Sequence, residues 1–197
     1  MSRFVVGMSG ASGMKLAHMA IAELTKLGHS VDLVLSRDSC LTILQEMGEH
    51  YASPLKFVES FSKESQQLIR LHQIHDFNSS IASGSCLHDG CLIIPCSMAT
   101  LAAIAAGISD NLLRRAADVT LKERRKLVIV PREAPLSEIH LQNMLKLSRM
   151  GACIIPPQPA WYMNPKTIEE MEYFMVSRIL DQLGVHLSGP RWGSSAD

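Results

Sequence analysis

Apolar runs and amphipathic stretches alternate along the chain. Phe4-Val5-Val6-Gly7-Met8 is a short unbroken apolar run, the pattern of a buried strand. Ser9-Gly10-Ala11-Ser12-Gly13 follows as a tight turn of small residues. Met14 to Leu27 then carries apolar positions at Leu16, Met19, Ala20 and Leu27, with Gly28 as a stop, which predicts a helix. Val31 to Leu35 reads as a second strand and Arg37 to Met47 as a second helix. Strand, glycine turn, helix and strand make a βαβ unit, the building block of a parallel sheet.

Residues 49 to 90 break the rhythm, with Ser53-Pro54, Ser79-Ser80 and Ser83-Gly84-Ser85 as punctuation. One short helix around Glu64 to Ile69, an edge strand near Leu71 to Ile74 and a surface loop are expected there. The alternation then returns: a strand at Cys91 to Ile94, helices at Met98 to Ala106 and Leu112 to Leu121, and a strand at Leu127 to Val130. Ser137 to Met150 reads as an amphipathic helix with Ile139, Met144, Leu145 and Leu147 among its apolar positions. Cys153 to Ile155 is the last strand, and a proline-rich loop leads into a final helix, Thr167 to Leu183. The pattern predicts a doubly wound, Rossmann-like α/β domain over residues 1 to 197, with a tail from about residue 186 that is either a lid carrying Trp192 or a disordered end.

Composition narrows the classes. The 197 residues carry 19 Lys plus Arg and 19 Asp plus Glu, so the absence of basic excess speaks against a generic nucleic-acid binder. With 47% hydrophobic and 19% charged residues, the chain is rich enough in apolar side chains to fold and lightly enough charged to favour a homo-oligomer. Met1 to Met8 shows no secretory pattern, no segment reaches the length of a membrane span, and the five cysteines, an odd number, read as reduced thiols in the cytoplasm.

In doubly wound sheets, ligands sit beyond the carboxyl ends of the strands. That rule selects Ser9 to Gly13, Ser36, Pro95 to Thr100, Pro131 to Pro135 and Pro156 to Asn164. The first turn is neither a dinucleotide fingerprint nor a P-loop, but its glycines let a ligand approach the backbone, and helix amides suit an anion. Pro95-Cys96-Ser97-Met98-Ala99-Thr100 repeats the design; alone it is an ordinary helix cap, but beside the first turn it makes a polar cradle for a nucleotide-like ligand. Arg132 can grip a phosphate, and a partly buried Glu133 beside it would have a raised pKa and could donate a proton. Trp161-Tyr162 offers an aromatic wall. Cys86, Cys91 and Cys96 lack zinc-site spacing and read as core thiols, and no metal is assigned to His72 and His75.

The stretch Leu112-Leu113-Arg114-Arg115-Ala116-Ala117-Asp118-Val119-Thr120-Leu121-Lys122-Glu123-Arg124-Arg125, running on to Pro131-Arg132-Glu133-Ala134-Pro135-Leu136, strongly resembles the UbiX-type flavin prenyltransferases. Gly10-Ala11-Ser12-Gly13, Pro95-Cys96-Ser97 and Trp161-Tyr162 fit the same family, whereas Met14-Lys15-Leu16 departs from it where many relatives have a small residue, proline and tyrosine. The resemblance implies a metal-free enzyme that joins a dimethylallyl group from dimethylallyl phosphate to N5 and C6 of reduced FMN. The product, prenylated FMN, serves a UbiD-type decarboxylase, and the assembly is a dodecamer. Carried over by residue, FMN lies on Gly10, Ala11, Ser12, Ser36, Ser97, Met98, Ala99, Thr100 and Arg132, and the prenyl phosphate on Lys122, Arg132, Tyr162 and Arg178. Glu133 becomes the acid assisting phosphate departure, with Glu46 and Ser12 near the flavin edge. The competing readings are a flavin-dependent decarboxylase of the cysteine-decarboxylating group, whose motif order does not match Trp161-Tyr162-Met163-Asn164, and a non-catalytic flavin-binding subunit, which would need no such charged set.

Overall fold

The computed structural model describes residues 1–189 and 191. Six strands form one all-parallel sheet in the order β3-β2-β1-β4-β5-β6: β1 (Arg3–Met8), β2 (Ser30–Leu35), β3 (Ile69–His72), β4 (Gly90–Cys96), β5 (Leu127–Pro131) and β6 (Cys153–Ile154). The eight α-helices are α1 (Met14–Lys26), α2 (Arg37–Met47), α3 (Pro54–Glu59), α4 (Lys63–Leu68), α5 (Met98–Ala105), α6 (Leu112–Lys122), α7 (Glu138–Arg149) and α8 (Ile168–Leu183). The central strands are buried on both faces, which is why they read as unbroken apolar runs rather than alternating ones.

Two separate apolar clusters lie on the two faces. Side chains of α1 and α8, with Phe57 of α3, cover one; those of α5 and α6, with Leu147 of α7, cover the other. Gly7 lets α6 lie close on β1: a Cβ there would come within 2.8 Å of Leu113 Cγ. The departure Met14-Lys15-Leu16 is accommodated in this packing. Met14 and Leu16 are buried, while Lys15 points outward and pairs with Glu172 of α8 at 2.8 Å.

The segment before β4 differs from expectation. It holds two short helices rather than one, preceded by a 3-10 turn at Glu49–Tyr51, and the edge strand starts at Ile69 rather than Leu71. Ser53-Pro54, read above as punctuation, is a helix start. The Ser53 hydroxyl accepts the Lys56 N–H, and Pro54 occupies the first turn, where its missing N–H costs nothing. Helix α7 also departs from its pattern: only Leu147 is buried, and Ile139 is 67% exposed. Trp192 lies outside the described residues, and no helix among those described is long and apolar enough to cross a membrane.

A buried ion network ties the amino ends of β1 and β2 to β3. Asp32, whose side chain is 3% exposed, accepts Arg3 Nε at 2.6 Å and His72 Nε2 at 2.8 Å, and Ser79 Oγ lies 2.9 Å from His72 Nδ1. Burial alone would raise the Asp32 pKa, but the His72 and Arg3 hydrogen bonds outweigh it and hold the carboxyl below its ordinary 3.8. The contribution of Asp32 to stability is therefore complete above that ordinary value and is lost as pH falls below it. Asp32→Ala should cost about 3 kcal/mol in urea unfolding at neutral pH, because it strands its partners. The variant should also lose less stability than the parent between about pH 5 and pH 3; parallel pH curves would contradict the assignment.

Candidate functional site

The carboxyl edge of the sheet gathers most of the residues selected from the sequence. The turns after β1 and β4 are stitched together by Ser9. Its N–H and its hydroxyl both donate to the Pro95 carbonyl, at 3.1 and 3.2 Å, and its hydroxyl accepts the Ser97 N–H at 2.8 Å. The paired cradle expected from two separate turns is thus one hydrogen-bonded unit. Ser97 caps α5, accepting the Thr100 N–H at 3.3 Å, and Ser36 caps α2, accepting the Ser39 N–H at 3.1 Å. Gly10 is required by close approach: a Cβ on it would lie 2.5 Å from Asp38 Cβ.

These turns enclose a cavity of about 200 Å³ lined by Ser9, Gly10, Ser36, Ser97, Ala99 and Thr100 together with Arg37, Asp38, Ile74, His75, Asn111 and Arg114. Met98 and Ala11 are buried beside it, and Ser12 is half-buried in the turn. The amides at the start of α1 are already engaged. The Glu46 carboxylate accepts the Gly13 N–H at 3.1 Å and the Met14 N–H at 2.8 Å, so a side chain of α2 supplies the negative charge that this helix N-terminus favours.

A second cavity, about 230 Å³, opens after β6. Ile155, Pro156, Tyr162, Phe174 and Arg178 are on its wall, so the structure brings Tyr162 and Arg178 to one cleft. Tyr162 meets Phe174 edge to face with centroids 6.2 Å apart. Arg178 is 51% exposed and donates to Asp181 at 2.8 Å, as a surface ion pair would. Asp181 also accepts Arg191 at 2.9 Å and His186 at 2.7 Å. Burial would raise the Asp181 pKa, but the hydrogen bonds from Arg191 and His186 and the charges of Arg191 and Arg178 bring it to about 2.

Arg132 and Glu133 stand at the end of β5, between the strands that carry the two cavities. The Arg132 N–H donates to the Cys96 carbonyl at 3.3 Å, which fixes it beside the β4 turn. Glu133 is exposed and accepts the Ala134 N–H at 3.0 Å. It is therefore not the partly buried acid expected above, because the loop carrying it projects beyond the sheet. Lys122 does not join this group. It ends α6 at the opposite, amino edge, where it pairs with Glu123 beside Gly84, and the length of β5, about 15 Å, separates it from Arg132.

Cys91 and Cys96 are core thiols, as expected, and burial pushes both up to about 12, whereas Cys86 is only half-buried at the margin of the core. Three further features left no sequence signal, because their partners are distant in the chain: the Ser9 stitch to Pro95, the Glu46 cap, and the place of Arg114 on the cavity wall.

A doubly wound parallel sheet with hydroxyl-lined turns at its switch point defines the α/β class of domain whose strand-end turns have the geometry to receive a phosphorylated small molecule. The family described as Flavoprotein matches residues 1–180. Over 185 residues the chain is 49% identical to "Flavin prenyltransferase UbiX" of Chlamydia pneumoniae, covering 94% of each. Among solved structures, the dodecameric FMN-dependent UbiX-like decarboxylase from Escherichia coli O157:H7 is 42% identical, with a TM-score of 0.86 over 98% of this chain and 100% of that one. AnUbiX (PadA1), solved in complex with FMN and dimethylallyl pyrophosphate, is 39% identical, with a TM-score of 0.84 over 97% and 98%. The chain belongs to the flavoprotein family, in its branch of UbiX-type flavin prenyltransferases.

Gly10→Ala tests the cradle as built. The added methyl must displace Asp38 and the start of α2, so unfolding free energy should fall by about 1–3 kcal/mol. A melting curve that superposes on the parent would show that this contact can relax freely.

Proposed function

We propose that the chain is a flavin prenyltransferase acting as one flavin-binding domain over residues 1 to 197. It joins a dimethylallyl group from dimethylallyl phosphate to N5 and C6 of reduced FMN and delivers prenylated FMN to a UbiD-type decarboxylase. The observation that carries this reading is the order along one sheet edge: a hydroxyl-lined cradle at β1 and β4, Arg132 and Glu133 at β5, and the Tyr162–Arg178 cleft beyond β6. The cradle residues Gly10, Ala11, Ser12, Ser36, Ser97, Met98, Ala99, Thr100 and Arg132 would hold FMN, and the aromatic cleft suits a prenyl chain with its phosphate on Arg178.

Reduced FMN, when bound, supplies the nucleophilic N5 and C6. The chain does the rest. Arg132 and Arg178 set fixed positive charge where the leaving phosphate gathers negative charge as the carbon–oxygen bond breaks. Glu133, exposed in the free chain, would give that phosphate a proton once the bound reactants cover it. Tyr162 and Phe174 keep water and nucleophiles away from the electron-poor allyl carbons, and the two adjoining sites hold the reactants within reach of each other. Glu46 holds the α1 turn, and through it Ser12, at the flavin edge. Lys122 can reach the same phosphate only from a second copy of the chain. That fits a homo-oligomer, dodecameric like its E. coli relative, working in the cytoplasm. The exposed Ile139, Leu141 and Leu145 on α7 provide an apolar surface for such assembly. No observation favours the cysteine-decarboxylating reading.

The test is to incubate the protein anaerobically with reduced FMN and dimethylallyl phosphate and weigh the flavin; a gain of one prenyl unit is expected. Glu133→Gln should retain FMN and slow single-turnover transfer by on the order of a hundredfold. Unchanged rates would remove the acid role. Arg178→Ala should keep the fold and FMN but weaken donor binding by about 1.5–3 kcal/mol in a donor titration at fixed reduced FMN. An unchanged half-saturating donor concentration would leave Arg178 as a surface ion pair.

A further inference from the structure

Among the described residues, three buried side-chain polar atoms lack a hydrogen-bond partner: Ser109 Oγ, Arg114 Nε and Glu172 Oε2. The last lies 2.8 Å from Lys15 Nζ and is ion-paired. The other two fall within six residues of each other, on the segment that enters α6 and lines the cradle cavity through Asn111 and Arg114. Buried donors in folded proteins are almost always satisfied, so each one that is not calls for a physical explanation.

The surroundings of Arg114 say what that is. One terminal nitrogen, NH1, donates to both Asp110 oxygens at 2.8 Å, which anchors the head of the side chain. The backbone is anchored as well: the Arg114 N–H donates to Asn111 Oδ1 at 3.0 Å, and the Leu112 N–H to the Ile74 carbonyl at 2.7 Å. Arg114 stands on a wall shared with Ser36, Ser97 and Thr100, and a guanidinium held through one nitrogen keeps its other N–H groups for an oxyanion. The other titratable groups on that wall, Arg37, Asp38 and His75, are all exposed. Arg114 is therefore the cation of the cavity whose donor is both buried and uncommitted.

We infer that Arg114 is the phosphate-gripping residue of the flavin site, its guanidinium donating to the phosphate of FMN and so selecting FMN over the unphosphorylated flavin. This rests on the reading of the cradle as a flavin site. It sends the phosphate to the β1–β4 cavity and the ring toward Arg132 and the aromatic cleft.

The experiment is a pair of equilibrium titrations, with FMN and with riboflavin, on the full-length parent and on Arg114→Gln, followed by quenching of flavin fluorescence. The Gln variant should bind FMN at least about tenfold more weakly, with riboflavin affinity changed by less than about twofold. Arg114→Lys keeps the stem and charge without the fork, so it should show a smaller loss, again confined to FMN, and it carries the test should the Gln variant not fold. Equal affinity of parent and variant for FMN, or equal losses for both flavins, would overturn the phosphate role. A parent that binds neither flavin would instead overturn the flavin reading of the cradle itself.

Discussion

The site depends on one serine. Ser9 uses its amide and its hydroxyl to bind the Pro95 carbonyl and takes the Ser97 amide in return, across 86 residues of chain. It is buried, so all three bonds are shielded from water. They lock the turn after β1 to the turn after β4, where the order of the sheet reverses. Everything nearby takes its position from that lock: the Ser97 cap of α5, the close approach of Gly10 to Asp38, and the Arg132 amide on Cys96 next door. A cradle assembled from loops on two independently moving strands could not hold a ligand in one pose.

Charge is distributed to match. The deeply buried carboxylate of Asp32 is held by Arg3 from the start of β1 and His72 from the end of β3, and serves the fold. Asp110 holds Arg114 by its head at the cradle, and Asp181, late in α8, holds Arg178 at the aromatic cleft. Each acid anchors a long, flexible side chain, so less rotamer freedom is lost when an anion arrives. Glu46 plays the complementary part by occupying the amides at the start of α1 and closing that end of the turn to other anions.

Much of this was legible in the sequence. The apolar runs located the strands because central parallel strands are buried on both faces. The carboxyl-edge rule then selected Ser9 to Gly13, Pro95 to Thr100, Arg132-Glu133 and Tyr162 without further help. What remained hidden had two physical causes. Ser53-Pro54 carries the same residues whether it breaks a chain or starts a helix, and only the later burial of Phe57 decides. In α7, the apolar positions Ile139 and Leu145 obey the helical period yet face outward, because periodicity gives the width of an apolar stripe and not what covers it. Lys122 belongs to the same limit: its motif is intact, but topology places it across the sheet from Arg132. Partners such as Glu46 with Gly13, or Ser9 with Pro95, lie too far apart in the chain for any spacing rule.

The central claim is that one hydrogen-bonded cradle at the carboxyl edge receives the flavin. Hydrogen exchange read by mass spectrometry, with and without FMN, tests it directly. Protection should rise in the turns at 9–13, 36–39 and 96–100, and the amino-edge cavity around Arg3 and Arg70 should be unchanged. Protection confined to that amino-edge cavity, or absent from the Ser9 and Ser97 turns, would contradict it.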